Sequence, residues 1–101
     1  MARETQKALK KLKDDGYLAD VVEKTIPKTF IKKDLFGIID IIAVKIGEIL
    51  GVQVTSDNNV AARVDKIEAH PDLYKILGSG LRVQVWGFKK GSTTPRVEEI
   101  T

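Results

Sequence analysis

The chain contains no cysteine, which removes disulfide scaffolds, thiolate-bound zinc and cysteine nucleophiles together. Its single histidine, His70, leaves no partner for a His-based zinc site and argues against a Ser-His-Asp triad. Long apolar runs are missing too. The longest, Ile38 to Val44, is broken by Asp40 and is far too short to span a membrane. Charge begins at Arg3, so no signal peptide is expected and the cytoplasm is the expected compartment, that of a host if the chain is viral. What is present is ordinary for a folded protein. With 101 residues there is room for one domain, and 43% apolar against 31% charged residues excludes a disordered tail.

Basic charge is placed unevenly. Residues 1–33 hold nine Lys/Arg against five Asp/Glu, whereas residues 34–101 hold eight against nine. A basic N-terminal third suits a polyanionic partner, because each neutralised phosphate releases condensed counterions. A solvated lysine-rich helix face accounts for the same charges, and from charge alone it is the preferred reading.

Ala2 to Asp15 lacks glycine and proline and is rich in good helix formers. Thr5, Ala8, Leu9 and Leu12 share one helical face, Arg3, Lys7 and Lys10 form a basic stripe, and Gly16 stands at the C-terminal cap. Tyr17 to Ile26 reads as a strand and Pro27 to Lys33 as a basic loop. Phe36 to Val44 and Ile49 to Thr55 are β-branched runs joined around Ile46-Gly47, the pattern of a hairpin. Both runs are apolar on both faces, which puts the hairpin in the middle of a sheet covered by helices. A helix over about 58–69 follows, with Val60, Val64 and Ile67 on one face and Arg63 and Lys66 on another. A short helix ends near Gly78, Leu81 to Phe88 alternates as a strand, and Arg96 to Ile100 suits an edge strand. The expected order is α-β-β-β-α-β, an α/β fold with a central mixed sheet flanked by helices.

Asp40 is the residue that most needs a reason. A carboxylate inside Ile38-Ile39-Asp40-Ile41-Ile42 is costly to bury as a charge unless it is paired, protonated or bound to a metal. A turn at Ile46-Gly47 makes Gln53 its cross-strand neighbour, so two polar side chains oppose one another within two apolar strands. That arrangement suggests a site, and an Asp–Gln hydrogen bond that merely satisfies both groups is the plain alternative.

Asp40-Ile41-Ile42-Ala43-Val44-Lys45, then Gly47, then Val52-Gln53-Val54-Thr55 resembles the core hairpin of the PD-(D/E)XK nuclease superfamily. It is similar in particular to archaeal-type Holliday-junction resolvases and small phage nucleases. The resemblance implies a restriction-endonuclease or resolvase-like fold and a Mg²⁺- or Mn²⁺-dependent DNA endonuclease, structure-selective in the resolvase manner. It also implies that Asp40, Gln53 and the backbone carbonyl of Val54 bind the metal, and that water is the nucleophile. Two positions depart from the pattern. Thr55 stands where the family has its lysine, and Lys66 on the following helix is the candidate for a migrated cation, with Arg63 a turn nearer and Lys45 too distant at the hairpin tip. The helix-borne glutamate is also displaced: Glu4 is about one residue off, Glu23 on the preceding strand is equally placed, and Asp34, which a capping role would also explain, ranks behind them.

Arg3, Lys7, Lys10, Lys28, Lys32, Lys33 and Arg63 are the candidate phosphate contacts. His70 before Pro71 reads as a helix terminator, Trp86 and Phe88 as packing with base stacking as the minority reading, and Tyr17, Phe30 and Phe36 as core or loop anchors. The resolvase likeness implies a homodimer, pairing through the C-terminal strand and helix. The competing reading, made serious by Thr55, is a catalytically degenerate DNA-binding module that kept the fold.

Overall fold

The glycine-free segment ahead of Gly16 folds as helix α1 (Arg3–Asp14), with Thr5, Ala8 and Leu12 on its buried face. Fully burying a leucine such as Leu12 stabilises by about 2 kcal/mol. Gly16 takes a φ of 94°, which a side chain would oppose, and the helix closes as Gly16 N–H donates to the Lys13 carbonyl and Tyr17 N–H to that of Leu12. The computed structural model describes residues 3–25, 27–28 and 32–101.

Five strands form the main sheet: β1 (Leu18–Val21), β4 (Ile41–Lys45), β5 (Glu48–Ser56), β6 (Arg82–Phe88) and β7 (Arg96–Ile100), in spatial order β1-β4-β5-β6-β7. Only the β5–β6 pair is parallel, and the crossover between these strands carries α2 (Val60–Glu68) and α3 (Leu73–Gly78). Strands β2 (Lys24–Thr25) and β3 (Lys32–Lys33) make a separate two-stranded ribbon. The expected α/β class and central hairpin are both present, and β4 and β5 occupy the second and third places in the sheet.

Burial on both faces explains the hairpin's composition. Ile41, Ala43, Leu50 and Val52 belong to a core with Ala8 and Leu12 of α1. Ile42 packs instead against the opposite core, which contains Val60 and Ile67 of α2, Ile76 of α3, and Val83 and Val85 of β6. Trp86 and Phe88 lie in the α1 core at 5% and 2% exposure, so neither ring is available to stack on a base. Close approach of the crossover to β6 depends on Gly87, where an added Cβ would stand 2.2 Å from Val60 Cγ2 and 3.0 Å from Asp57 Cα.

The elements differ from those expected in two places. Tyr17 to Ile26 is not one strand: β1 stops at Val21, and the chain turns away into the β2–β3 ribbon, which also claims the end of the expected basic loop. Phe36 to Ile39 is not strand either. Phe36 and Gly37 both have positive φ, and Leu35 bridges Ile39 around a tight loop. Ile38 and Ile39 are nevertheless buried, so an apolar run read as a strand satisfies its hydrophobicity from a turn. The short helix expected to end near Gly78 is α3, and the expected strands over 81–88 and 96–100 are β6 and β7. No helix among the described residues is long and apolar enough to cross a membrane.

Candidate metal centre

Strand register builds the centre. Ile41 opposes Val52 and Lys45 opposes Glu48, so the next step outward sets Asp40 beside Gln53. The Asp40 backbone is clamped on both sides, its N–H donating to the Val52 carbonyl at 2.9 Å and its carbonyl accepting from Val22 N–H at 2.8 Å. Its carboxylate Oδ2 accepts from Gln53 Nε2 at 2.9 Å and from Val54 N–H at 2.8 Å. Gln53 Nε2 also reaches Asp34 Oδ2 at 3.3 Å. Asp40 and Gln53 are 5% and 2% exposed.

One atom in this network is left over. Gln53 Oε1 is buried without a hydrogen-bond partner among the described residues. A buried amide oxygen left unpaired costs about 1–3 kcal/mol. The Asp–Gln hydrogen bond therefore satisfies only half of the amide, and it does not explain why glutamine occupies this position.

Two further carboxylates converge on the pair. Glu23, just past β1, and Asp34, just past β3, each bring an oxygen within 4.8 Å of the others and of Asp40. They border a cleft of about 240 Å³ together with Gln53, Val54, Thr5 of α1 and Arg63 of α2. The Asp40 carboxyl is pushed up from its ordinary 3.8 to about 7. Burial is the main cause and the hydrogen bond with Asp34 the next, while the Val54 N–H and the Gln53 amide pull the other way. Three carboxylates form a hard oxygen donor set, the kind that suits Mg²⁺ or Mn²⁺ and not a soft metal. The Gln53 amide turns its nitrogen toward Asp34 and Asp40, so its oxygen joins the set only when the amide turns over.

Of the expected site residues, the structure brings Asp40, Gln53, Val54 and Glu23 together. Asp34, ranked behind the glutamates from sequence, completes the cluster. Glu4 is half-buried on α1 and does not line the cleft; its neighbour Thr5 does. Lys66 is exposed on α2 and stays outside the lining, where Arg63 is the cation instead. Thr55, two residues past Gln53 on the same face of β5, is 7% exposed. Lys45 is held at the hairpin tip, donating to the Asp15 carbonyl and lying 4.1 Å from the centre of the Tyr17 ring.

The basic stripe of α1 is partly spent on the protein itself. Lys7 donates to the Ser92 carbonyl at 2.8 Å, Lys10 pairs with Asp14 at 2.7 Å, and Arg3 is exposed. Lys28 and Lys33 are exposed near the cluster in sequence, whereas Phe30 and the side chain of Lys32 lie outside the described residues. Thr5 is the cleft residue that the sequence reading did not single out, and Asp34 and Arg63 are the two that it ranked second. For Asp34 the available signal was its place at the head of a turn, in Asp34-Leu35-Phe36-Gly37, where Gly37 N–H donates back to its carbonyl. Comparison with protein-family models, curated proteins and solved structures finds no match to this chain.

Proposed function

We propose that the chain is a divalent-metal-dependent DNA endonuclease of the PD-(D/E)XK, resolvase-like kind, hydrolysing phosphodiester bonds in the cleft between Asp40, Gln53 and Arg63. The observation that carries this reading is the convergence of Glu23, Asp34 and Asp40 beside a buried glutamine whose Oε1 has no hydrogen-bond partner among the described residues. Asp40, Gln53 and Glu23 would hold Mg²⁺ or Mn²⁺, with Asp34 beside them and the Val54 carbonyl as the further oxygen that the motif resemblance implies. The cation, when bound, polarises the scissile phosphate and lowers the pKa of the attacking water.

The chain's own residues supply the remainder. Val54 N–H fixes the Asp40 carboxylate in one orientation, so this group needs little reorganisation at the moment of reaction. Arg63 is the cation that borders the acidic cleft, and a guanidinium pairs with phosphate oxygens through two parallel hydrogen bonds. It takes over the charge stabilisation for which Thr55 is unsuited. Exposed Lys28 and Lys33 extend the positive surface toward the DNA backbone. A homodimer, joined along the open edge of β7, gives a chain of this size enough surface to hold a branched substrate.

The test is cleavage of linear, single-stranded, flapped and four-way DNA in Mg²⁺, Mn²⁺ or EDTA. Metal-dependent cutting that Asp40→Asn abolishes is the expected result. Binding without cutting under every condition overturns the enzyme and leaves the degenerate DNA-binding module, which buried Thr55 and outlying Lys66 would then explain.

A further inference from the structure

The loop that joins two of the clustered carboxylates, Asp34 and Asp40, carries an aromatic ring in an unusual position. Leu35 bridges Ile39, and Ile38 and Ile39 are 1% and 0% exposed, so the loop is anchored from beneath by its aliphatic residues. Phe36 at its tip points the other way and is 56% exposed. Its φ is 55°, a conformation that a bulky L residue rarely adopts. Hydrophobic burial does not account for a strained aromatic residue held in solvent. Strain of this kind gathers at ligand-contacting positions.

The conformation is held by a specific contact. His70 Nδ1 accepts from the Asp72 backbone N–H at 3.0 Å, which assigns the ring proton to Nε2, and Nε2 then donates to the Phe36 carbonyl at 2.8 Å. His70 therefore does more than end α2: it pins the loop. Phe36, His70, Ile76 and Leu81 border an open groove of about 700 Å³, with Lys33, Lys75 and Asp72 at its margin. The Lys75 ammonium is 3.8 Å from the Asp72 carboxylate in an exposed pair, which leaves it readily drawn to a phosphate. An aromatic face with lysines beside it is the chemistry that single-stranded nucleic acid uses, a stacked base and a neutralised backbone. The Asp72 carboxylate adds an acceptor for an exocyclic amino group.

We infer that Phe36 and this groove take an unpaired nucleobase next to the scissile phosphate, making the protein selective for DNA with bulged, flapped or single-stranded nucleotides. The inference rests on the nuclease reading for its ligand class, because the loop leads directly from the groove into the acidic cleft. Phe36 contacts the base, and His70 is a positioning residue that sets the angle of the loop.

The experiment measures binding by fluorescence anisotropy, in EDTA, to a fully paired duplex and to the same duplex carrying one bulged 2-aminopurine. Phe36→Gly is the informative variant, since glycine accepts positive φ without strain and the fold is kept, which a thermal melt verifies. Phe36→Gly should lose about tenfold in affinity for the bulged duplex and less than twofold for the paired one. It should also lose the quenching of the 2-aminopurine, and Phe36→Trp should keep both. His70→Ala should reduce the bulge preference while leaving affinity for paired DNA unchanged. Equal losses on both duplexes, or none, overturn the inference. So does a wild-type protein with no preference for the bulge whose groove takes up an apolar dye, which would mark a protein-docking surface. The two readings fail separately. Metal-dependent cutting without a Phe36-dependent preference sinks only the base site, and a Phe36-dependent preference without cutting sinks only the nuclease.

Discussion

Replacing Asp40 by asparagine should make the metal-free protein more stable at pH 8 and leave it nearly unchanged at pH 4. In the folded chain burial and the hydrogen bond with Asp34 push the Asp40 carboxyl up to about 7, against an ordinary 3.8. Below 3.8 both folded and unfolded states carry the proton, and the favourable contribution of the neutral group is complete. Between 3.8 and about 7 the unfolded chain has lost that proton while the folded one keeps it, so stability falls by about 1.4 kcal/mol per pH unit. Above 7 the loss levels off, with a ceiling of about 4 kcal/mol. Solvent reaching the cleft screens part of this, so a gap of about 2–4 kcal/mol is expected. Asparagine keeps the shape and still accepts the Val54 N–H, without the charge.

Urea midpoints of both proteins, measured in EDTA from pH 4 to 8.5, test this directly. The difference between the two curves reports Asp40 together with its coupling to Asp34, because the more distant titrating groups are common to both. It should open in favour of asparagine as pH rises. A flat difference would show that Asp40 is ionised and well compensated in the folded state, and the argument from burial would be wrong. Excess Mg²⁺ or Mn²⁺ should narrow the gap at pH 8, since a ligand that binds only the folded wild type stabilises it by mass action.

Other expectations follow from the same geometry. Arg63→Ala should slow cleavage about 10²–10³-fold with DNA affinity largely retained, whereas Lys66→Ala should stay within threefold, and the reverse pattern in single-turnover rates would reinstate Lys66. The phenol of Tyr17 donates a hydrogen bond to Glu48, which with burial and the Glu48 charge pushes it up to about 12. A tyrosinate absorbance step should therefore appear near pH 12 and vanish in Tyr17→Phe; with a raised folded value, its stabilising contribution is present below 10 and lost as pH rises through 12. Gly87→Ala should destabilise by about 1–3 kcal/mol, because the methyl meets Val60 and the Asp57 backbone, and an unchanged urea midpoint would contradict that packing.

The hairpin and its register were legible in the sequence for a simple reason. Side chains alternate faces with a period of two, and a turn at Ile46-Gly47 fixes which residues oppose, so Asp40 and Gln53 become neighbours by parity alone. The rest depended on features with no periodicity. Phe36 in a left-handed conformation ends the strand pattern where a β-branched, apolar run predicts continuation, and no propensity anticipates it. Asp34 reaches the site because that turn folds back, and Arg63 because helix α2 lies across the face of β5 that carries Gln53. Lys66, three residues further along, is carried to the exposed side of the same helix. Spacing along a helix identified both cations, but only the packing of the helix on the sheet could choose between them.

The acidic centre also has a structural logic. Its carboxylates come from two connections, Glu23 from the one after β1 and Asp34 and Asp40 from the two ends of the β3–β4 loop, and the Asp40 backbone is clamped by hydrogen bonds to Val22 and Val52. Glu23 and Asp34 flank the small β2–β3 ribbon, which is paired at two positions and forms a sheet separate from the main one. Local stability should therefore be lowest on the side of the cleft where two of the three carboxylates are held. Close carboxylates repel, and the Asp40 proton relieves that repulsion in the metal-free protein. A cation held by the cluster would displace this proton and draw together Glu23 and Asp34 at the two ends of the ribbon, so its binding should stabilise the ribbon as well. Hydrogen exchange should then show residues 22–25 and 32–34 gaining protection on addition of Mn²⁺, while β5 and β6 do not change.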